Sequence, residues 1–120
     1  MPEFNFIVIA ASNGERFKQS DDKLNDDVKI LYASELRIRH FQGTKRLIHV
    51  LRKAVDMNPK KGIIICADVL LNSISLASHQ INDPRHTNNV MTPQEVIKEL
   101  NMLVKLCHAE DAEPVIAPNW

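Results

Sequence analysis

Apolar residues fall along this chain in two kinds of block. One kind is continuous. Residues 5–11, Asn-Phe-Ile-Val-Ile-Ala-Ala, run almost without a polar break into Ser12-Asn13-Gly14, and Gly-Ile-Ile-Ile-Cys-Ala repeats the pattern over 62–67. Short runs of this type, bounded by turn residues, predict strands buried on both faces. Val28–Tyr32 predicts a shorter strand. In 36–41, Leu-Arg-Ile-Arg-His-Phe, the alternation predicts an edge or half-exposed strand. Leu36, Ile38 and His40 would share one face, with Arg37, Arg39 and Phe41 on the other.

The other kind of block is periodic. After Gly43, Thr44 can cap a helix whose Leu47, Ile48, Leu51, Ala54 and Val55 recur at helical spacing, with Pro59 just past its end. Thr92-Pro93-Gln94-Glu95 has the form of a capping box with proline in the first turn. It opens a helix with a stripe of Val96, Ile97, Leu100, Leu103, Val104 and Cys107. Residues 71–83 have weaker helical character, 84–89 read as a loop, and 113–120 read as a last short strand.

Doubly buried strands alternating with helices imply parallel pairing through helical crossovers. The expected fold is one α/β domain spanning 1–120, a small three-layer sandwich around a mainly parallel sheet of four or five strands. Function in such sheets gathers beyond the carboxyl ends of the strands. That draws attention to residues 11–14, 41–44, 66–71 and 117–120.

Composition excludes several classes. Fifteen basic and fifteen acidic residues leave no net charge to announce a dedicated nucleic-acid or membrane-surface protein. Cys66 and Cys107 both lie in apolar runs and read as buried thiols of a reducing, cytoplasmic setting, with no metal site or cofactor implied. No run approaches membrane-spanning length, and the acidic start lacks a signal-peptide pattern. Charge is nevertheless uneven. Arg37, Arg39, Lys45, Arg46, Arg52, Lys53, Lys60 and Lys61 face a single acid, Asp56, across 37–61, while acids concentrate at 21–27 and 110–113. A solvated helix face accounts for much of this. A binding surface for RNA, carried by Arg37, Arg39, Lys45, Arg46, Arg52 and Lys53, is the sharper expectation.

The strand ends also carry a family likeness. "IVIAAS", "RIRHFQGTKRLIHVL", "IIICADVLL" and the helix and strand after Thr92 resemble, in order and spacing, the blocks of SGNH (GDSL-type) hydrolases. The resemblance implies a flavodoxin-like fold with Ser12 at the nucleophile's place. It puts Gly43 where a backbone N–H helps form the oxyanion hole, and Asp68 where that family has its oxyanion-hole asparagine. Ala10 and Ala11 replace the family's Gly-Asp, Cys66 replaces a glycine, and no Asp-x-x-His follows the last strand. An Asp-x-x-His does occur as Asp83–His86, but it precedes the long helix. A serine without a base is a poor nucleophile, and an ionised Asp68 would repel a developing oxyanion. The resemblance therefore implies an impaired or inactive hydrolase-like domain acting as a binding or assembly module, with a protein partner or self-association. A serine esterase or deacetylase with Ser12 as nucleophile and a rearranged or partner-supplied base is the alternative.

"IVIAASNGERF" is also similar to the opening of nucleotidyltransferases. That likeness implies phosphate contacts at Gly14 and Arg16 and a metal-binding role for Asp68. The simpler expectation for Ser12 is a polar strand end, for Asp68 a helix cap, and for His40, His49 and His108 positions inside regular elements. Trp120 reads as a core plug or interface anchor.

Overall fold

A computed structural model of the chain describes residues 4–15, 27–109 and 114–117. Arg16, Phe17, Asp21, Asp22, Asp26 and Trp120 lie outside them. Four strands form one parallel sheet: β1 (Phe6–Ala10), β2 (Val28–Tyr32), β3 (Gly62–Cys66) and β4 (Pro114–Ala117), in the order β2-β1-β3-β4. Register is set by Phe6 opposite both Val28 and Gly62, and by Ile63 opposite Pro114. Helices flank the sheet: α1 (Leu47–Asp56), α2 (Ala67–Ile74), the single turn α3 (Pro84–Thr87) and α4 (Pro93–Ala109). The α/β class and parallel sheet expected from the apolar runs are thus present.

Both central strands are buried on both faces, as their uninterrupted apolarity requires. Ile7 and Ile9 of β1 and Ile63 and Ile65 of β3 point to the face covered by α1 (Leu47, Val50, Leu51, Ala54) and α4 (Val96, Cys107). The intervening residues Val8, Ala10 and Cys66 form a second cluster with Val28, Ile30 and Ile64 on the opposite face. Period-two alternation makes this division. Along α4, Val96, Leu100, Leu103 and Cys107 pack on the core, whereas Ile97, expected in the buried stripe, is 61% exposed. It lies about 100° round the helix from Val96.

Three local expectations are corrected. Residues 36–41 are not a strand: the described backbone there makes one isolated bridge, Arg37 to Arg46. Their polar backbone atoms are satisfied from elsewhere, since Ser73 Oγ accepts the Ile38 N–H (3.0 Å) and Asn72 Nδ2 donates to the Leu36 carbonyl (3.2 Å). Leu36, Ile38 and His40 are buried as the alternation requires, but Arg37 is buried with them and does not share an exposed face with Arg39. Thr44 does not cap α1; Gly43–Lys45 form a 3₁₀ turn and Arg46 stands at the cap position. Residues 84–87 are a helical turn, because Asp83 accepts the Arg85 N–H (3.0 Å) and Pro84 presets the first position. The capping box of α4 forms as expected, with Thr92 Oγ1 accepting from Glu95 N (3.2 Å) and Glu95 Oε1 accepting from Thr92 N (3.1 Å).

Two glycines behave oppositely. A Cβ on Gly14 would stand 2.3 Å from Tyr32 Cβ and 3.2 Å from Ala10 Cβ, so the turn after β1 packs too closely on β2 for a side chain. At Gly43 an added Cβ meets nothing within 4 Å. Urea denaturation should find Gly14→Ala destabilised by about 1–3 kcal/mol, the cost of overpacking. Gly43→Ala should be neutral or up to about 1 kcal/mol more stable, because the unfolded chain loses freedom.

Candidate functional site

The carboxyl ends of β1 and β3 meet at Asp68. Residue 68 lies in the first turn of α2, where a negative charge is favoured by the helix dipole. From there its carboxylate reaches back across the sheet. The Ala11 N–H donates to both oxygens (3.2 and 3.1 Å) and the Asn13 N–H to Oδ2 (3.1 Å). Those amides belong to the turn that carries Ser12, where a hydrolase or phosphate-binding loop would present donors to a ligand. Here they hold an anion supplied by the chain itself. Ser12 is exposed, and its hydroxyl has no hydrogen-bond partner among the described residues. Gly43, the third position implied by the resemblance, is exposed at the start of its 3₁₀ turn. Beside Asp68, burial first and that carboxylate second push the Cys66 thiol up to about 11.

A second constellation gathers beyond β2, in the loop 33–46. Glu35 holds a positive φ of 64°, uncommon for a residue with a side chain. Its carboxylate accepts from Lys45 Nζ (2.9 Å) and from Gln80 Nε2. Arg37, 3% exposed, donates from Nε to the Glu35 carbonyl (3.3 Å) and from Nη2 to Gln80 Oε1 (3.4 Å). His40, 1% exposed, accepts the Gln42 N–H at Nδ1 (2.9 Å). Its ring stacks on Phe41 (4.7 Å) and meets the buried His86 edge-on (5.5 Å), while the Arg85 guanidinium lies 4.8 Å from the Phe41 ring. Ligand atoms of Glu35, His40 and His86 lie within 4.8 Å of one another. Two buried nitrogens, Arg37 Nη1 and His40 Nε2, have no hydrogen-bond partner among the described residues.

The electrostatics follow from that packing. The Lys45 hydrogen bond holds Glu35 below the usual carboxylate range against the opposing effect of burial. Burial, reinforced by the Arg37 charge, holds His40 below its ordinary value, so the imidazole is neutral at physiological pH. Burial also lowers Arg37, which nonetheless stays charged.

The basic stretch does not assemble into one patch. Arg37 is in the constellation just described. Arg39 pairs with Glu95 (3.1 Å) and Glu99 of α4. Together with Arg46 and Arg52 it lines a groove of about 520 Å³, floored by Ile48, Met102, Leu103 and Leu106. Lys45 and Lys53 line a different depression, with Lys29 and His49. Asp83 binds Arg85 through its side chain (2.9 Å), so the Asp83–His86 sequence is a helix cap joined to an ion pair. No helix among the described residues is long and apolar enough to cross a membrane.

Sequence reasoning named Ser12, Asp68 and Arg37 singly and missed the grouping of Glu35, Gln80, His40 and His86. Nothing in the alternation of 36–41 set the buried Arg37 apart from Arg39. Comparison with known protein families, curated proteins and solved structures found no match.

His40 gives a pH dependence of definite sign. Its folded pKa lies below the ordinary 6.5, so on acidification the unfolded chain takes up this proton first. Stability is therefore full above 6.5 and falls as pH drops through the folded value. Glu35, depressed below its ordinary 4.5, adds a second loss at lower pH. Urea midpoints measured against pH should show both losses. His40→Asn, which keeps an acceptor for the Gln42 amide, should flatten the first and leave the second. A midpoint that rises on acidification contradicts the assignment.

Proposed function

We propose that this chain is a binding domain on the SGNH-hydrolase plan and not a working serine hydrolase. The observation that carries the reading is the Asp68 carboxylate seated on the Ala11 and Asn13 amides. An acyl-transfer oxyanion needs donors at the place where its charge develops. In this turn two backbone donors are already engaged by a carboxylate, which would repel that charge. Losing a single such donor typically costs about 10²–10³ in rate. Activation is also unsupported, since no histidine of the described residues hydrogen-bonds to Ser12, and Asp83 is paired with Arg85 and holds no imidazole. The same occupancy weighs against a nucleotidyltransferase-like phosphate loop, whose glycine amides must stay open to phosphate oxygens.

A second reading keeps Ser12 as nucleophile with a base supplied by a partner. Its support is the exposure of Ser12 just past the carboxyl end of β1.

A serine-directed fluorophosphonate separates the two. The binding-domain reading expects no mass shift at Ser12 at neutral pH. Labelling that disappears in Ser12→Ala would overturn it in favour of the hydrolase. Asp68→Ala strips the acceptor from the Ala11 and Asn13 amides. It should cost about 1.5–3 kcal/mol of stability in thermal or urea unfolding, the range for a hydrogen bond to a charged group.

A further inference from the structure

We propose that the buried cluster of Arg37, His40 and His86 binds the carboxylate of a small monoanionic ligand, with Arg37 Nη1 and His40 Nε2 as its two donors. The inference starts from unmet hydrogen-bonding capacity. Buried polar atoms are nearly always paired, and a buried guanidinium is costly unless a counter-charge touches it. Arg37 is 3% exposed and touches no carboxylate among the described residues: its two partnered nitrogens go to a backbone carbonyl and to the Gln80 amide oxygen. The nearest acid, Glu35, is held by Lys45 and Gln80. Arg37 Nη1 and His40 Nε2 are the two buried side-chain atoms left without a partner among the described residues, and the two side chains lie within electrostatic reach of each other.

The tautomer of His40 decides what kind of ligand fits. Nδ1 accepts the Gln42 N–H and so bears no proton. The neutral ring must then carry its proton on Nε2, which makes Nε2 a donor. A donor seeks an oxygen or an anion. A metal would need the Nε2 lone pair and a proton on Nδ1, directed at a group that itself donates. Charge agrees. With His40 neutral, Arg37 and Lys45 outweigh Glu35 by one positive charge, which repels a divalent cation and suits a single negative one. Of the singly charged groups, a carboxylate presents two coplanar oxygens, one for each donor. Phe41, itself exposed, stacks on His40 and meets His86 edge-on, so the cluster lies one side chain from solvent. This cluster does not include Ser12, so fluorophosphonate labelling there leaves ligand binding at Arg37 and His40 unaffected.

The test titrates acetate, inorganic phosphate and Zn²⁺ separately into the full chain, following the His40 ring and Arg37 side-chain resonances by NMR. Acetate should give saturable shifts of both. Arg37→Met should weaken acetate binding at least about tenfold, the loss of one charge-assisted hydrogen bond. That variant should be about as stable as the parent, because losing the bonds to the Glu35 carbonyl and Gln80 Oε1 is offset by removing a buried charge that has no counter-charge in contact. A purely structural Arg37 would instead lose stability on substitution and leave no acetate binding to lose. Should Arg37→Met fail to fold, His40→Asn takes away the ring and its Nε2 donor while keeping an acceptor for the Gln42 amide, and should weaken acetate binding by a similar factor. Saturation by phosphate without acetate, saturation by Zn²⁺ with shifts at His40 and His86, or no saturable response to any probe would each overturn the proposal.

Discussion

The Asp68 carboxylate, reaching from the first turn of α2 to the amides of Ala11 and Asn13, is the contact on which the upper face of this domain depends. Neighbouring parallel strands end side by side, and the loops leaving them need partners for backbone groups that the sheet no longer satisfies. Asp68 supplies those partners for the turn after β1 and fixes where α2 begins. α2 then places Ser73 and Asn72 against the backbone of Ile38 and Leu36. The turn beyond α2 places Gln80 between Glu35 and Arg37. One carboxylate thus closes the first strand end and, through a single short helix, positions the polar cluster beside the second.

Closing one site and leaving donors open at another have different consequences. Around Asp68 every named donor has its acceptor, so the turn gains rigidity and gives up the capacity to receive an anion. Around Arg37 the bonding is incomplete, and among the described residues this buried cation contacts only neutral acceptors. Natural sequences concentrate such departures from full satisfaction, and from ordinary backbone angles, at sites that bind something. The left-handed conformation of Glu35 next to this cluster belongs to the same pattern.

Legibility in the sequence followed the range of the interactions. β1 and β3 were readable because burial on both faces demands unbroken apolar runs, and α4 because its capping box lies within four adjacent residues. The segment 36–41 misled because its alternation is real: Leu36, Ile38 and His40 do point inward. What makes it a loop is the pairing of its backbone with side chains of α2, remote in the chain and invisible to local pattern. The cluster was illegible for the same reason, since Glu35, His40, Gln80 and His86 come together only once α2 and its following turn are in place. Asp68 was legible as a position, and its role needed the geometry. A carboxylate at a strand end caps a helix, binds a metal or fills a neighbouring turn according to which amides lie in reach.

Amide hydrogen exchange, followed residue by residue for the parent chain and for Asp68→Asn, tests this account most directly. In the parent, the Ala11 and Asn13 amides should exchange as slowly as those inside β1. In the variant both should quicken, and the Ile38 amide, held by Ser73 of the helix that Asp68 anchors, should quicken with them. Ala11 and Asn13 amides that exchange freely in the parent, or that are unchanged in Asp68→Asn, would contradict the claim that this carboxylate closes the turn.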